Sequence, residues 1–227
     1  MEWLRTLMKP PQPPYKLLTA VERDVIVSPH LNEHLLPLGL TAVGPRTWVD
    51  VSHPPAKRMF QLVLLKGESM RAGWGFSLDF VPHISGGRVR WHRSGKTAKL
   101  DVVIEPGKNV LLEPTSIYGA ARLHDDLNRL LPAAVEKAKE TWRRGATERG
   151  LLDLVREIRE HQTNYFPFDM YTQLPLAYAF LLARLGDLAQ AEQELDHYVS
   201  RLKVDDGAAA KLKQLAREYA GSKVGAE

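Results

Sequence analysis

The chain has 227 residues, of which 44% are apolar and 26% charged, a mixture typical of a soluble folded protein and not of a disordered one. It contains no cysteine, which excludes disulfide bonds and thiolate metal sites. The net charge of +4 is small for a dedicated DNA-binding protein. Because neither a secretory signal nor a membrane-spanning apolar run is recognisable, we expect a cytoplasmic protein.

The N-terminal part of the sequence predicts an extended segment followed by a helix. Clustered prolines predict a polyproline-like lead-in over residues 1–16. Thr19 and Glu22 have the spacing of a capping box, which predicts a helix that begins next to Thr19. Ser28 and Pro29 predict that this helix breaks and starts again, since proline suits a first helical position.

From residue 41 the apolar residues alternate with polar ones, as they do in strands. Strand-like runs cover residues 47–51, 60–65, 73–81, 88–93 and 98–106. Trp74, Phe76, Leu78 and Phe80 share one face of the third run, and this apolar face requires a covering layer. The turn-forming residues 94–97 predict that the last two runs form a hairpin. We therefore predict a five-stranded antiparallel meander in an α+β domain over residues 17–113.

Residues 114–221 predict a helical region, and residues 222–227 a disordered tail. The helical stretches are 121–144, 151–161, two helices over 174–202 that turn at Gly186-Asp187, and 208–221. Because residues 110–118 offer no flexible linker, we expect about five helices to pack against the sheet. The predicted class is α+β, with an all-helical C-terminal region.

Positive charge is concentrated in residues 88–108, where six Lys/Arg against two Asp/Glu give a net charge of +4. On a strand, Trp91 and Val89 would share one face, and Arg88, Arg90 and His92 the other. Burial of a tryptophan ring stabilises a fold by about 2–3 kcal/mol. We therefore expect Val89 and Trp91 to face inward and the three basic residues to form an outward basic stripe.

Other basic residues extend this surface. Arg93 follows the stripe beside the turn, Lys96 is expected at the hairpin tip, and His83 lies at the end of the preceding strand. The candidate binding residues are thus Arg88, Arg90, His92, Arg93, Lys96 and His83. Such a surface can hold an acidic protein or a nucleic acid, and Trp91 would be available for base stacking if it faced outward. It can also be only the solvated face of a sheet, where charges discourage edge-to-edge pairing.

Motifs for catalysis or metal binding are incomplete. Residues 30–34 read H-x-x-E-H, the inverted zinc-protease pattern, but no accompanying motif marks a third ligand. Residues 94–97 contain the GKT end of a P-loop, although Arg90 stands where the loop requires glycine and a strand follows. His124-Asp125 would suit a metal phosphohydrolase only with histidines on neighbouring helices. We assign no catalytic residue, metal or cofactor, and favour a non-enzymatic role.

The sequence LLARLGDLAQAEQEL, within residues 174–202, resembles one tetratricopeptide helix pair, with small residues at the helix crossing and Gly186 at the turn. Residues 17–202, with LDFVPH, RWHR and LGD in this order, resemble a bacterial domain-of-unknown-function family of small sheet-plus-helix proteins encoded near toxin and immunity loci. This resemblance implies an accessory, immunity or interaction role.

We therefore expect a non-enzymatic, immunity-like binding protein. It would engage an acidic protein partner through the basic hairpin over residues 88–99. The alternative is a protein that binds or processes nucleic acid through the same hairpin.

Overall fold

A computed structural model describes residues 18–50, 52, 56–64, 70–104, 111–112, 119–161 and 173–221. These residues form an N-terminal helix, an antiparallel sheet and five further helices packed against the sheet. The predicted α+β class is confirmed. The predicted lead-in over residues 1–16, the tail over residues 222–227 and most of the segment 110–118 lie outside the described residues.

The first helix, α1 (Ala20–Leu35), begins as the sequence predicts. The Thr19 hydroxyl accepts a hydrogen bond from the Glu22 backbone N–H at 3.2 Å. In return, the Glu22 carboxylate accepts one from the Thr19 N–H at 2.7 Å. This capping box satisfies two backbone donors that the first turn of a helix otherwise leaves unpaired.

The prediction that Ser28 and Pro29 interrupt this helix is wrong. The helix continues through Pro29, which removes one backbone hydrogen bond from its interior. Three residues around the proline, Val27, Leu31 and Leu35, are fully buried on one face of α1. Their burial compensates for the missing bond and keeps the helix continuous.

The strands are β1 (Thr41–Gly44), β2 (Thr47–Val49), β3 (Ala56–Leu64), β4 (Met70–Leu78), β5 (His83–Ser85), β6 (Arg88–Arg90), β7 (Val102–Ile104) and β8 (Leu111–Leu112). The main sheet has the order β1-β2-β3-β4-β7, and all its pairs are antiparallel. The short β8 also pairs with β4. Strands β5 and β6 form a separate two-stranded sheet.

This pairing corrects the predicted hairpin between residues 88–93 and 98–106. Strand β6 pairs with β5 across Gly86 and Gly87, both of which have positive φ. Glycine adopts this conformation freely, and two such residues are what a tight two-residue hairpin requires. The residues that were expected to form the turn, Ser94–Thr97, form a capped 3-10 turn instead, and β7 pairs with β4.

The remaining helices are α2 (Ala120–Arg144), α3 (Glu148–Glu160), α4 (Gln173–Arg184), α5 (Leu188–Leu202) and α6 (Asp206–Gly221). Helices α4 and α5 turn at Gly186, whose φ is +92°, and Asp187 caps α5 by accepting from the Gln190 N–H. Within the described residues, no helix is both long enough and apolar enough to cross a membrane.

Aromatic side chains hold the sheet against the helices. Trp48, Phe60 and Trp74 are paired in register across β2, β3 and β4, and all three are buried. The Trp48 indole N–H donates to Asn32 on α1, and the Trp74 indole N–H donates to Thr141 on α2, both at 3.0 Å. The expectation that helices cover the apolar face of β4 is therefore confirmed.

Strand β7, which pairs with β4 within the sheet, closely approaches it at Gly75. A Cβ atom on Gly75 would lie 2.9 Å from the carbonyl carbon of Val102 and closer still to its oxygen. The Gly75 carbonyl also accepts a hydrogen bond from the Trp142 indole of α2 at 3.1 Å. The missing side chain thus allows β7 to lie against β4 while α2 is anchored at the same residue.

We expect Gly75→Ala to lower the free energy of unfolding by about 3 kcal/mol, because the added methyl group would push β7 away from β4. Gly73→Ala on the same strand is the matched control. Its Cβ would have Gln61 Cγ as nearest neighbour at 3.7 Å, an ordinary contact. Urea denaturation followed by tryptophan fluorescence measures both variants. Equal losses would contradict the role given to the Gly75 contact.

Candidate functional site

A pocket of about 430 Å³ lies between the β5–β6 hairpin and the segment that follows it. Its lining includes His83 and His92, the cations Arg90, Lys96 and Lys99, and the Trp91 ring. The volume is sufficient for a charged side chain or a small anion. We call this cavity the basic pocket.

Local structure brings these residues together from both sides. The β5–β6 register places His83 opposite Arg90. In the 3-10 turn, the Ser94 hydroxyl accepts from the Thr97 N–H at 3.2 Å, and this turn carries Lys96. The Lys99 N–H then donates to the Ser77 hydroxyl on β4 at 3.3 Å, which holds the returning chain against the sheet.

His92, which lines the pocket, forms a buried pair with Asp101 behind it. His92 is 1% exposed, and its Nε2 lies 2.7 Å from Oδ2 of the fully buried Asp101. The same oxygen accepts the Leu78 N–H at 2.6 Å, whereas Oδ1 of Asp101 is buried without a hydrogen-bond partner. Burial raises the pKa of the Asp101 carboxyl, and the hydrogen bonds from His92 and Leu78 oppose this effect.

His83 connects the buried pair to the pocket. Its Nδ1 lies 3.3 Å from Nδ1 of His92, so His83, His92 and Asp101 form a continuous hydrogen-bonded chain. Burial lowers the pKa of the His83 imidazole, and the positive charges of Lys99, His92 and Arg90 lower it further. The chain therefore runs from a buried carboxylate to a histidine in a cationic environment.

A second polar pair lies next to Asp101. Lys57 on β3 is 4% exposed and forms an ion pair with Asp79. Burial lowers the pKa of the Lys57 ammonium, the negative charge of Asp101 raises it, and the positive charge of Arg93 lowers it. Buried ionisable groups at this density are costly in a purely structural interior, which points to a function for this side of the sheet.

The predicted binding residues occupy three different environments. Arg88 and Arg90 are exposed, and Val89 and Trp91 are partly buried against the core, as expected. The prediction that His92 faces outward with them is wrong. Strand β6 ends at Arg90, so strand alternation no longer applies at His92, which turns inward to bond Asp101.

The other candidates also differ from a flat stripe. Arg93 places its guanidinium 4.0 Å from the centre of the Trp91 ring and donates to the Asp79 carbonyl at 3.1 Å. Lys96 lies on the 3-10 turn that lines the pocket and not at a hairpin tip. His83 flanks the site and lines the pocket.

Sequence reasoning missed two residues of this site, Asp101 and Lys99. Asp101 is an isolated carboxylate, preceded by basic residues and followed by the apolar residues of a strand. Its neighbours in the sequence do not indicate that it is buried. A possible signal was the pair of histidines at positions 83 and 92 upstream of a single acid. Lys99 was counted only as part of the net charge.

A further histidine pair links α1 and α2, where His30 Nε2 lies 2.7 Å from His124 Nδ1. Burial and the charge of His124 lower the pKa of His30, while Glu33 raises it. The H-x-x-E-H segment thus uses His30 for a contact between helices. Among the described residues, no group of three or more His, Asp or Glu side chains is placed to hold a metal ion.

No family model, curated protein or solved structure matches this chain. The resemblances to a tetratricopeptide pair and to a bacterial sheet-plus-helix family therefore stay predictions. The function must be argued from the basic pocket itself.

The raised pKa of Asp101 predicts a pH-dependent stability. The folded state holds the Asp101 proton more tightly than the unfolded state, so this contribution is complete below the ordinary aspartate pKa, about 3.9. It is lost as the pH rises through the raised value. We therefore expect the unfolding free energy of the wild type to fall relative to that of Asp101→Asn as the pH rises from 4.

Urea denaturation at a series of pH values measures this difference. Asp153→Asn, at an exposed position on α3, controls for the loss of one carboxylate. A difference that grows in favour of the wild type with rising pH would show that the bond from His92 outweighs burial at Asp101.

Proposed function

We propose that this protein is a non-enzymatic binding protein that holds an acidic group of a partner protein in the basic pocket. The observation that carries the proposal is the convergence of Arg90, Lys96 and Lys99 on one cavity. All three are exposed, and none makes an ion pair with another described residue. Like charges that converge repel one another, and an anionic ligand relieves this repulsion.

Several exposed cations elsewhere on the described surface are paired with carboxylates. Arg143 pairs with Glu140, Arg159 with Glu194 and Arg217 with Glu192, all on or between helices. Exposed pairs of this kind contribute little to stability, but they leave little local excess of one sign. An uncompensated cationic cluster in a concave site is therefore the feature that supports anion recognition here.

Two predictions from the sequence fit this proposal. An immunity-like role, implied by the family resemblance, requires a protein that binds a partner and needs no catalytic residues. A cytoplasmic location suits a chain without cysteine. We include both in the proposal.

Nucleic-acid binding would use the same cations and needs in addition a free aromatic surface for base stacking. Trp91 is partly buried, and the Arg93 guanidinium covers its ring at 4.0 Å from the centroid. One face of the ring is therefore already covered by a cation. This arrangement favours an acidic protein as the partner.

We expect the double substitution Lys96→Glu/Lys99→Glu to reduce partner capture at least about tenfold, which corresponds to about 1.4 kcal/mol. Both side chains are exposed, so the reversal of their charge acts on binding and not on the core. The measurement is affinity capture from an extract of the source organism, followed by quantitative mass spectrometry of the retained proteins.

Arg88→Glu is the matched control, because Arg88 lies on the same hairpin but is not among the pocket-lining residues. We expect it to retain most of the capture. If wild type captures no protein, or if Arg88→Glu and the double variant lose capture equally, the pocket is not the binding site. Gel-shift assays with single- and double-stranded DNA and RNA at low salt decide the alternative, since phosphate contacts weaken steeply with salt.

A further inference from the structure

Hydrogen counting fixes the state of His92. Oδ2 of Asp101 already accepts the backbone N–H of Leu78, so it acts as an acceptor. When the Asp101 carboxyl is ionised, both of its oxygens can only accept, so the nitrogen that faces Oδ2, Nε2 of His92, must carry a hydrogen. In neutral His92, Nδ1 is consequently a free acceptor.

The hydrogen bond to His92 also determines which ring nitrogen of His83 carries a hydrogen. Its Nδ1 faces Nδ1 of His92, and one of the two must donate. When His92 is neutral, the donor is Nδ1 of His83. This leaves Nε2 of His83 as the one ring nitrogen in the chain that is open to a further proton. Protonation there yields an imidazolium without breaking either hydrogen bond.

The groups that face His83 oppose this protonation in the empty pocket. Arg90 lies opposite it on β6, and Lys99 and His92 also act on it. Lys96 lines the same cavity from the 3-10 turn. On the side of α6, Asp205 lies near Gly87 at the turn of the hairpin, away from the pairing position of His83. An anion in the pocket would offset this positive potential.

We propose that the basic pocket binds an oxyanion together with one proton, which is taken up at Nε2 of His83 and is supported by the His83–His92–Asp101 chain. This inference rests on the proposed function, and names the chemistry of the recognised group: a phosphate-like or carboxylate oxyanion. The buried pair His92 and Asp101 acts by positioning His83, so that its Nδ1 donates inward and its Nε2 is available to the ligand. The cations supply attraction at every pH, and His83 adds a pH-dependent component.

The sign of the pH dependence follows from linkage. A ligand that favours protonated His83 raises its pKa, so the complex holds more protons than the free protein between the two pKa values. Within this window, affinity rises as the pH falls, by at most about tenfold per pH unit for one proton. It levels off once His83 is protonated in the free protein as well.

Isothermal titration calorimetry with sulfate tests the proposal on the full chain. Sulfate stays dianionic across the accessible pH range, so a proton taken up during binding must go to the protein. At constant ionic strength, the observed enthalpy is measured in buffers of different ionisation enthalpy. We expect the observed binding enthalpy to change linearly with the ionisation enthalpy of the buffer, with a slope of as much as one proton taken up per sulfate bound near neutral pH. Titration with acetate distinguishes a preference for carboxylates from one for phosphate-like groups.

Three variants assign the effect. His83→Gln keeps hydrogen-bonding capacity at a partly exposed position, and we expect it to bind sulfate without proton uptake. Lys96→Gln/Lys99→Gln should weaken sulfate binding at least about tenfold. Arg88→Gln should change neither the affinity for sulfate nor the proton uptake. NMR titration of the histidine ring protons, with His83→Gln for assignment, should show a His83 pKa that rises when sulfate is bound.

The outcomes separate this inference from the proposed function. If sulfate or acetate binds without proton uptake, or if His83→Gln shows the same uptake as wild type, the role of His83 is refuted and the pocket remains an anion site. If neither anion gives a saturable heat with wild type, the oxyanion site itself is refuted. The capture experiment with Lys96→Glu/Lys99→Glu then decides independently whether a protein partner uses this surface.

Discussion

The close approach of β7 to β4 at Gly75 is the contact on which the site depends. Because Gly75 has no side chain, the Val102 backbone lies directly against it. This position lets the Asp101 N–H bond to the Phe76 carbonyl at 2.9 Å, and brings the Asp101 carboxylate under the Leu78 N–H. Asp101 in turn bonds His92, so the segment after β6 turns inward and His92 lines the basic pocket.

The residues around β4 differ between its two sides. On one face of the sheet, α1 and α2 cover aromatic rings. The indole N–H of Trp48 on β2 donates to Asn32, and that of Trp74 on β4 donates to Thr141. On the other side, the buried ionisable groups Lys57, His92 and Asp101 lie near β4. Apolar residues of similar size at these positions would stabilise the folded protein at least as well. Such a departure from the most stable interior is expected at a functional site. It lies beside the basic pocket, a cavity on which three exposed cations converge.

The sequence by itself determined the features that depend on local contacts. The capping box at Thr19, the period of the helices, the turn at Gly186 and the alternating apolar face of β4 all follow from residues close together in the chain. It also correctly placed Val89 and Trp91 on the partly buried side of β6, and Arg88 and Arg90 on the exposed side. The α+β class follows from these elements, since an apolar sheet face needs helices to cover it.

Only the tertiary structure decided which strands pair and which polar groups are buried. Strand composition does not distinguish β5 from β7 as the partner of β6, and the choice depends on Gly86-Gly87 and on space beside Gly75. His92 and Asp101 carry no local sign of burial, because their hydrogen bonds join segments that meet only after the sheet has formed. Local pattern sets the elements, whereas long-range packing determines where ionisable groups lose water, and this desolvation gives the site its chemistry.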